Sequence, residues 1–337
     1  MKICIVGAGA IGGMLGVKFA LSGHEVTLIL RGANLAAVQQ GGMRLIEENG
    51  NELLAQPIKA TSAIAEAGAQ DVVILALKAH QVAAVAADIP ALLHAGTRII
   101  TMQNGIPWWY FHKLPGEIGR RYAGTPVKSV DPDGVIAEHI PVDRVIGCVV
   151  YPASEVIRPG VIKVIEGNRF TLGELDGSET PSVLAISEAF KNAGFKSPVI
   201  NDIRSEIWLK LWGNLSFNPI SALTHATLED ICVYPPTREL AANMMREAQV
   251  IGEKLGVHFR VSLEKRINGA QAVGQHKTSM LQDVELGRPI ELEALVGSVL
   301  ELGRITETPT PNIDAVYALT SLLANKLRQH KATLRLS

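Results

Sequence analysis

The tightest constraint on this chain lies at its N-terminus. Gly7-Ala8-Gly9-Ala10-Ile11-Gly12 follows the short apolar run 2–6 and opens a second apolar stretch that Gly23 ends. The pattern predicts a buried strand over 2–6, a glycine turn, a helix from about Ile11 to Ser22 and a second strand over His24–Leu30, which together form a βαβ unit. G-x-G-x-x-G says little alone, but between a strand and a helix it specifies a dinucleotide loop. Gly7 permits the tight turn, Gly9 lets the backbone approach a pyrophosphate, and Gly12 allows close helix–strand packing. The helix N-terminus then faces the phosphate charge. Lys2 and the apolar run behind it superficially resemble a signal peptide, but Gly7, Gly9, Gly12, Gly13 and Gly16 interrupt that run. No apolar stretch continues far enough to span a bilayer.

The end of the second strand sets the cofactor's flavour. A site for NAD usually places an acidic residue there to accept from the ribose 2′-hydroxyl. This chain has Leu30-Arg31-Gly32 instead, and a guanidinium suits a 2′-phosphate. Lys78, just past the strand Asp71–Leu77, supplies a second cation where open α/β sheets bind ligands. The plain alternative for both is a solvated cation at a strand end.

Further strands over 71–77 and 98–102, with a helix over 81–93 between them, predict a parallel sheet covered on both faces. Strand-like runs at 145–151, 161–166 and 169–173 read as an antiparallel extension of that sheet, closed by a helix over 182–193. After Asn201 helical periodicity takes over, with helices expected at about 203–218, 237–255, 262–272, 289–304 and 312–328, punctuated by prolines. The reading is two domains, 1–199 and 200–337.

Composition removes several function classes. The 32 basic and 33 acidic residues give a formal net charge of -1, which offers nucleic acid no general attraction. The 3 cysteines are widely spaced without C-x-x-C, so neither a disulfide framework nor a zinc site is expected, and the pattern fits a reducing cytoplasm. The 9 histidines form no H-x-x-x-H or H-E-x-x-H pair, so no metal is expected. No membrane partner is expected either, and a homodimer is allowed.

The residues at 7–13 (GAGAIGG), Arg31, 77–81 (LKAHQ), 103–105 (QNG), 203–224 (IRSEIWLKLWGNLSFNPISALT), 279–283 (SMLQD) and 287–293 (GRPIELE) resemble the ketopantoate reductase (2-dehydropantoate 2-reductase) family. The resemblance runs along nearly the whole chain. It implies an N-terminal Rossmann-type domain, a helical C-terminal domain like that of 6-phosphogluconate dehydrogenase, and a substrate in the cleft between them. It also implies NADPH as cofactor and a small 2-keto acid as substrate. Carried over residue by residue, it places the backbone from Gly7 to Gly12 on the pyrophosphate, with Arg31, Lys78 and Gln81 at the adenosine end. Asn104 falls at the cofactor–substrate junction and Lys210 at the catalytic lysine. Asn214, Asn218 and Ser279 bind substrate, and Glu291 is the acidic residue supporting the site. The chain departs from the family where T-E-I-D is common and Ile290-Glu291-Leu292-Glu293 stands here. It also departs at Gly147–Tyr151 and in a longer connection over 106–144.

Spacing alone puts Lys210, Asn214 and Asn218 on one helix face, which Glu206 extends. The plain alternative is a solvated face with a Glu206–Lys210 pair. With the resemblance, the expected chemistry is hydride transfer to a 2-keto acid, with Lys210 stabilising the developing oxyanion and donating its proton. Other readings are the same chemistry on a bulkier 2-keto acid, or an NADPH-binding sensor without catalysis. The aromatics Trp108-Trp109-Tyr110-Phe111 stand at the root of the 106–144 segment in a chain with only 5% aromatics. Two roles are expected for the segment: the aromatics anchor a long loop to the core, or part of the segment covers the site as a lid.

Overall fold

The computed structural model describes residues 1–330, 333 and 334. Contacts divide the chain into two compact units. The first comprises residues 1–103, 111–124 and 133–203, and the second 104–110, 125–132 and 204–337.

The first unit begins β1 (Lys2–Val6), α1 (Ala10–Leu21), β2 (Glu25–Ile29), α2 (Gly32–Gly41), β3 (Met43–Ile46), β4 (Glu52–Ala55), β5 (Lys59–Thr61), β6 (Val72–Leu75), α3 (Ala79–Ala86) and β7 (Arg98–Thr101). It continues α4 (Gly116–Arg121), α5 (Val135–His139), β8 (Val145–Val150), β9 (Ala153–Arg158), β10 (Val161–Glu166), β11 (Phe170–Glu174) and α6 (Pro181–Asn192). Seven strands form the main sheet in the order β11-β8-β7-β6-β1-β2-β5. Its central strands read as near-continuous apolar runs because both faces are covered; β1 and β6 are buried over 3–6 and 72–75.

Two expectations change here. The run at 145–151 joins the sheet parallel to β7, and only β11 is antiparallel, on β8. The run at 161–166 belongs elsewhere: β10 lies in a separate four-stranded sheet, β4-β3-β10-β9. The other strands of that sheet gave no strong strand signal: β3 and β4 have only 4 residues each, and β9 is largely exposed.

The small sheet explains why α1 is apolar apart from Lys18. A helix without a continuous polar face is covered on more than one side. Gly12 and Gly16 lie toward the main sheet, where an added Cβ would crowd Ile5 and Leu28, and Gly13 lies against Ile162 of the small sheet. The core cluster joins both sheets through Met14, Leu15, Val17 and Phe19 of this helix.

The second unit is built on α7 (Ile203–Thr224), α8 (Leu228–Val233), α9 (Pro235–Lys254), α10 (Leu263–Ala272), α11 (Ser279–Glu285), α12 (Ser298–Ile305) and α13 (Pro311–His330). Helix α7 runs past Pro219, where the sequence reading ended it. Proline removes one backbone bond, but Leu215, Phe217, Ile220 and Ala222 around it are all buried, and their packing carries the helix through. The expected helix over 289–304 starts later: residues 289–291 are not helical, and a π-helical turn over Glu293–Gly297 leads into α12. Among the described residues no helix is long and apolar enough to cross a membrane.

Candidate active site

In the first unit the glycine loop has the form its spacing predicted. Gly7 has φ +93°, in the region glycine favours, and an added Cβ at Gly12 would press on the Gly7 carbonyl and Ile5. Gly9 is exposed and faces open space, with no atom within 4 Å of an added Cβ. No side chain caps α1, and its first turn holds no acidic residue. The start of α1 is therefore a positive helix end with room for an anion, which fits a dinucleotide pyrophosphate. Asn34, unremarked in the sequence, braces this loop: its amide donates to Ala8 O at 3.4 Å and its oxygen accepts from Gly160 N at 2.7 Å.

Arg31 is exposed at the carboxyl end of β2, and Leu30 N binds Thr61 O beside it. Lys78 caps α3, and Gln81 accepts from Lys78 N at 3.1 Å, so part of the Gln81 amide is engaged in helix capping. Gln103, which the sequence reading left without a role, donates to Leu75 O at 2.8 Å and Leu77 O at 3.0 Å. It ties the end of β7 to the turn that carries Lys78.

In the second unit Lys210 Nζ donates to Asn104 Oδ1 at 2.7 Å. The two residues are 106 positions apart in sequence, so the fold brings them together. Two tryptophans set the rotation of α7. Trp208 Nε1 donates to Tyr110 Oη at 2.8 Å, and Trp212 Nε1 to Met245 O at 2.6 Å. Successive helix residues are about 100° apart, so pinning 208 and 212 turns Lys210 and Asn214 to the opposite flank. Lys210 and Asn214 are half-buried, and Asn218 is 5% exposed.

The solvated-face alternative for α7 does not hold. Glu206 is fully buried, and Arg260 Nη1 lies 2.6 Å from its carboxylate. Gly213, on the same side as Glu206, is overlain by the Arg266 guanidinium. An added Cβ there would meet the guanidinium, so the glycine lets Arg266 lie directly on the helix.

The other expected site residues sit on separate elements. Ser279 opens α11 and is exposed, with Thr278 Oγ1 accepting from Leu281 N as the cap. Glu291 is half-buried just ahead of the π-helical turn, and its carbonyl accepts from Leu295 N at 3.2 Å. All four aromatics at 108–111 are buried, with Tyr110 at 0%. Arg204, itself 5% exposed, donates to Tyr110 O at 2.7 Å and stacks over Trp109 and Tyr110. The aromatics therefore act as anchors. Further along, Glu301 accepts from Lys128 N and Ser129 N, both at 2.8 Å, and from Ser129 Oγ at 2.6 Å.

Comparisons with known proteins identify the family. Residues 3–108 match the family described as ketopantoate reductase PanE/ApbA, and residues 202–324 match its C-terminal part. A 2-dehydropantoate 2-reductase from Mesorhizobium japonicum is 54% identical over 325 residues, covering 96% of this chain and 98% of its own. A provisionally named ketopantoate reductase from Ralstonia solanacearum superposes with a TM-score of 0.90 at 41% identity, covering 97% of this chain and 98% of its own. A D-mandelate dehydrogenase solved with NADH and anilino(oxo)acetate shares the fold, with a TM-score of 0.81 at 19% identity, covering 97% of this chain and 99% of its own. With both family segments in place and a relative more than half identical over almost its full length, this chain belongs to the ketopantoate reductase family of dinucleotide-binding oxidoreductases that act on a CH–OH group.

Proposed function

We propose that this chain reduces 2-dehydropantoate (ketopantoate) to pantoate with NADPH, and that Lys210 is the general acid. The observation that carries the reading is the hydrogen bond from Lys210 Nζ to Asn104 Oδ1 at 2.7 Å. It supports a lysine held in one orientation by a neutral amide, which leaves the charge of the ammonium in place. NADPH, when bound, supplies the hydride. Gly7 to Gly12 would hold its pyrophosphate, Arg31 and Lys78 its 2′-phosphate, and Gln81 its adenosine end. Residues 1–199 carry this cofactor site and 200–337 the substrate groups.

As the C2 carbonyl becomes tetrahedral, negative charge gathers on its oxygen. Lys210 stabilises that charge and delivers a proton to it. Asn104 orients Lys210, and Glu291 orients the lysine and the substrate hydroxyl. Asn214, Asn218 and Ser279 fix the substrate's carboxylate and hydroxyl. The test is NADPH oxidation by the purified chain with ketopantoate beside bulkier 2-keto acids, and with NADH in place of NADPH. Turnover highest with ketopantoate and NADPH supports the reading. A higher kcat/KM for another keto acid reassigns the substrate, and stoichiometric NADPH binding without turnover on any keto acid makes the chain a sensor.

A further inference from the structure

The Asn104 side chain can hold Lys210 only if its own backbone is fixed, and Asn104 lies in a loop that follows β7. The anchor is on another element. Ile106 N donates to Ala294 O at 3.0 Å, and Ala294 belongs to the π-helical turn Glu293–Gly297. Gly105, between Asn104 and Ile106, has φ +90°. A Cβ there would overlap the Ala294 carbonyl and lie 3.1 Å from the Ala294 Cβ. The loop therefore lies flat on the helix backbone, closer than any other residue type permits.

The π-helical form of this turn gives that contact its reason. One extra residue in a helical turn leaves a carbonyl without its usual donor four residues on, and such turns recur at functional sites. The Ala294 carbonyl here takes Ile106 N and also Ser298 Oγ, at 2.7 Å. The turn is braced from its far side. Glu293 folds over Gly297, where an added Cβ would overlap its carboxylate, and Tyr317 Oη donates to Glu293 Oε1 at 2.9 Å. Burial, together with that carboxylate, pushes the Tyr317 hydroxyl up to about 12, so it remains a donor.

We infer that the π-helical turn is the positioning element for the reaction, with Gly105 and Ala294 acting on Lys210 through Asn104. The inference rests on the reading of Lys210 as general acid and extends it to the residues that seat Asn104.

The experiment compares Gly105→Ala, Lys210→Ala and the double variant by steady-state kinetics with NADPH and ketopantoate. Gly23→Ala serves as the control: Gly23 has φ +88° but open space around it, so it carries the same backbone strain without the contact. Gly105→Ala is expected to lose kcat by roughly 10²-fold, as displacement of a reacting group does. Its KM for NADPH should stay within about twofold, and its melting temperature should fall little further than that of Gly23→Ala. Added to Lys210→Ala, it should cost almost nothing more, because residues acting as a unit are not additive. Near-normal kcat in folded Gly105→Ala, or a fully additive loss in the double variant, overturns the inference. If Gly105→Ala does not fold, Ser298→Ala replaces it: a several-fold lower kcat at unchanged KM for NADPH supports the inference, and an unchanged kcat overturns it. Lys210→Ala separates the two failures. Retained turnover there means the general-acid reading has failed, whereas an inactive Lys210→Ala beside an active Gly105→Ala sinks only the positioning claim.

Discussion

Lys210 Nζ stands 2.7 Å from Asn104 Oδ1, and this bond joins a helix to a loop that starts where the main sheet's β7 ends. An amide oxygen accepts from an ammonium without neutralising its charge, which suits the general-acid reading of Lys210. Lys210→Ala is expected to lower kcat by roughly 10²–10⁴-fold, the range for a lost general acid. Asn104→Ala should lose less, because the lysine remains but is no longer held. Binding of NADPH, followed by fluorescence titration, should change little in Lys210→Ala. Substantial turnover in folded Lys210→Ala would mean that the proton comes from another group.

Arg31 supplies the second prediction. It is exposed at the end of β2, where an acidic residue would favour NADH. Arg31→Glu should raise KM for NADPH by at least about tenfold, since a charge-assisted phosphate contact is worth about 1.5–3 kcal/mol. KM for NADH should move much less. Equal kcat/KM for the two cofactors in the unaltered chain would show that Arg31 reads no 2′-phosphate.

The parts of this fold that were legible in the sequence are those set by local rules. The glycine loop, β1, β2, β6 and β7 follow from spacing and apolar runs, and the alignment of Lys210, Asn214 and Asn218 follows from helical period. The small sheet was hidden because β3 and β4 have only 4 residues each, and β3, β4 and β9 hold charged residues such as Arg44, Glu52 and Glu155. The continuation of α7 past Pro219 depends on tertiary packing that no local propensity contains. The Asn104–Lys210 bond spans 106 positions, and only the family resemblance named both residues beforehand. The seat of Gly105 on Ala294 has no sequence signature beyond one glycine. Its cause lies in the π-helical turn, which amphipathic period does not distinguish from an α-helix.

Glu206 and Arg260 make a third test, one of stability. The Glu206 carboxylate is 0% exposed, with Arg260 Nη1 2.6 Å away. Removing the cation takes a charge-assisted contact from a buried carboxylate, and because Arg260 is itself 56% exposed the expected cost is that of one such bond, about 1.5–3 kcal/mol. Arg260→Ala should therefore unfold at markedly lower urea than the unaltered chain. Replacing Glu206 by Gln removes the charge itself and should cost less than Arg260→Ala. The reverse order in urea melts would show that the pair contributes through packing instead.

The last prediction concerns the long 106–144 segment. Buried aromatics fix its root, and Glu301 fixes its middle by accepting from Lys128 N, Ser129 N and Ser129 Oγ. Hydrogen bonds to a carboxylate are worth about 1.5–3 kcal/mol each before shared losses. Glu301→Ala should thus raise amide hydrogen exchange at residues 128 and 129 by at least about tenfold, with a smaller rise elsewhere. Glu301→Gln keeps one acceptor oxygen and should fall between. Kinetics on the same variants then separate the two roles of the segment. If it serves only as an anchored loop, kcat/KM across a panel of 2-keto acids falls uniformly or not at all. If residues near 128 cover the substrate, bulkier keto acids gain relative to ketopantoate as the loop loosens, with KM for NADPH unchanged. Protection at 128 and 129 that survives Glu301→Ala would show that this carboxylate does not hold the segment.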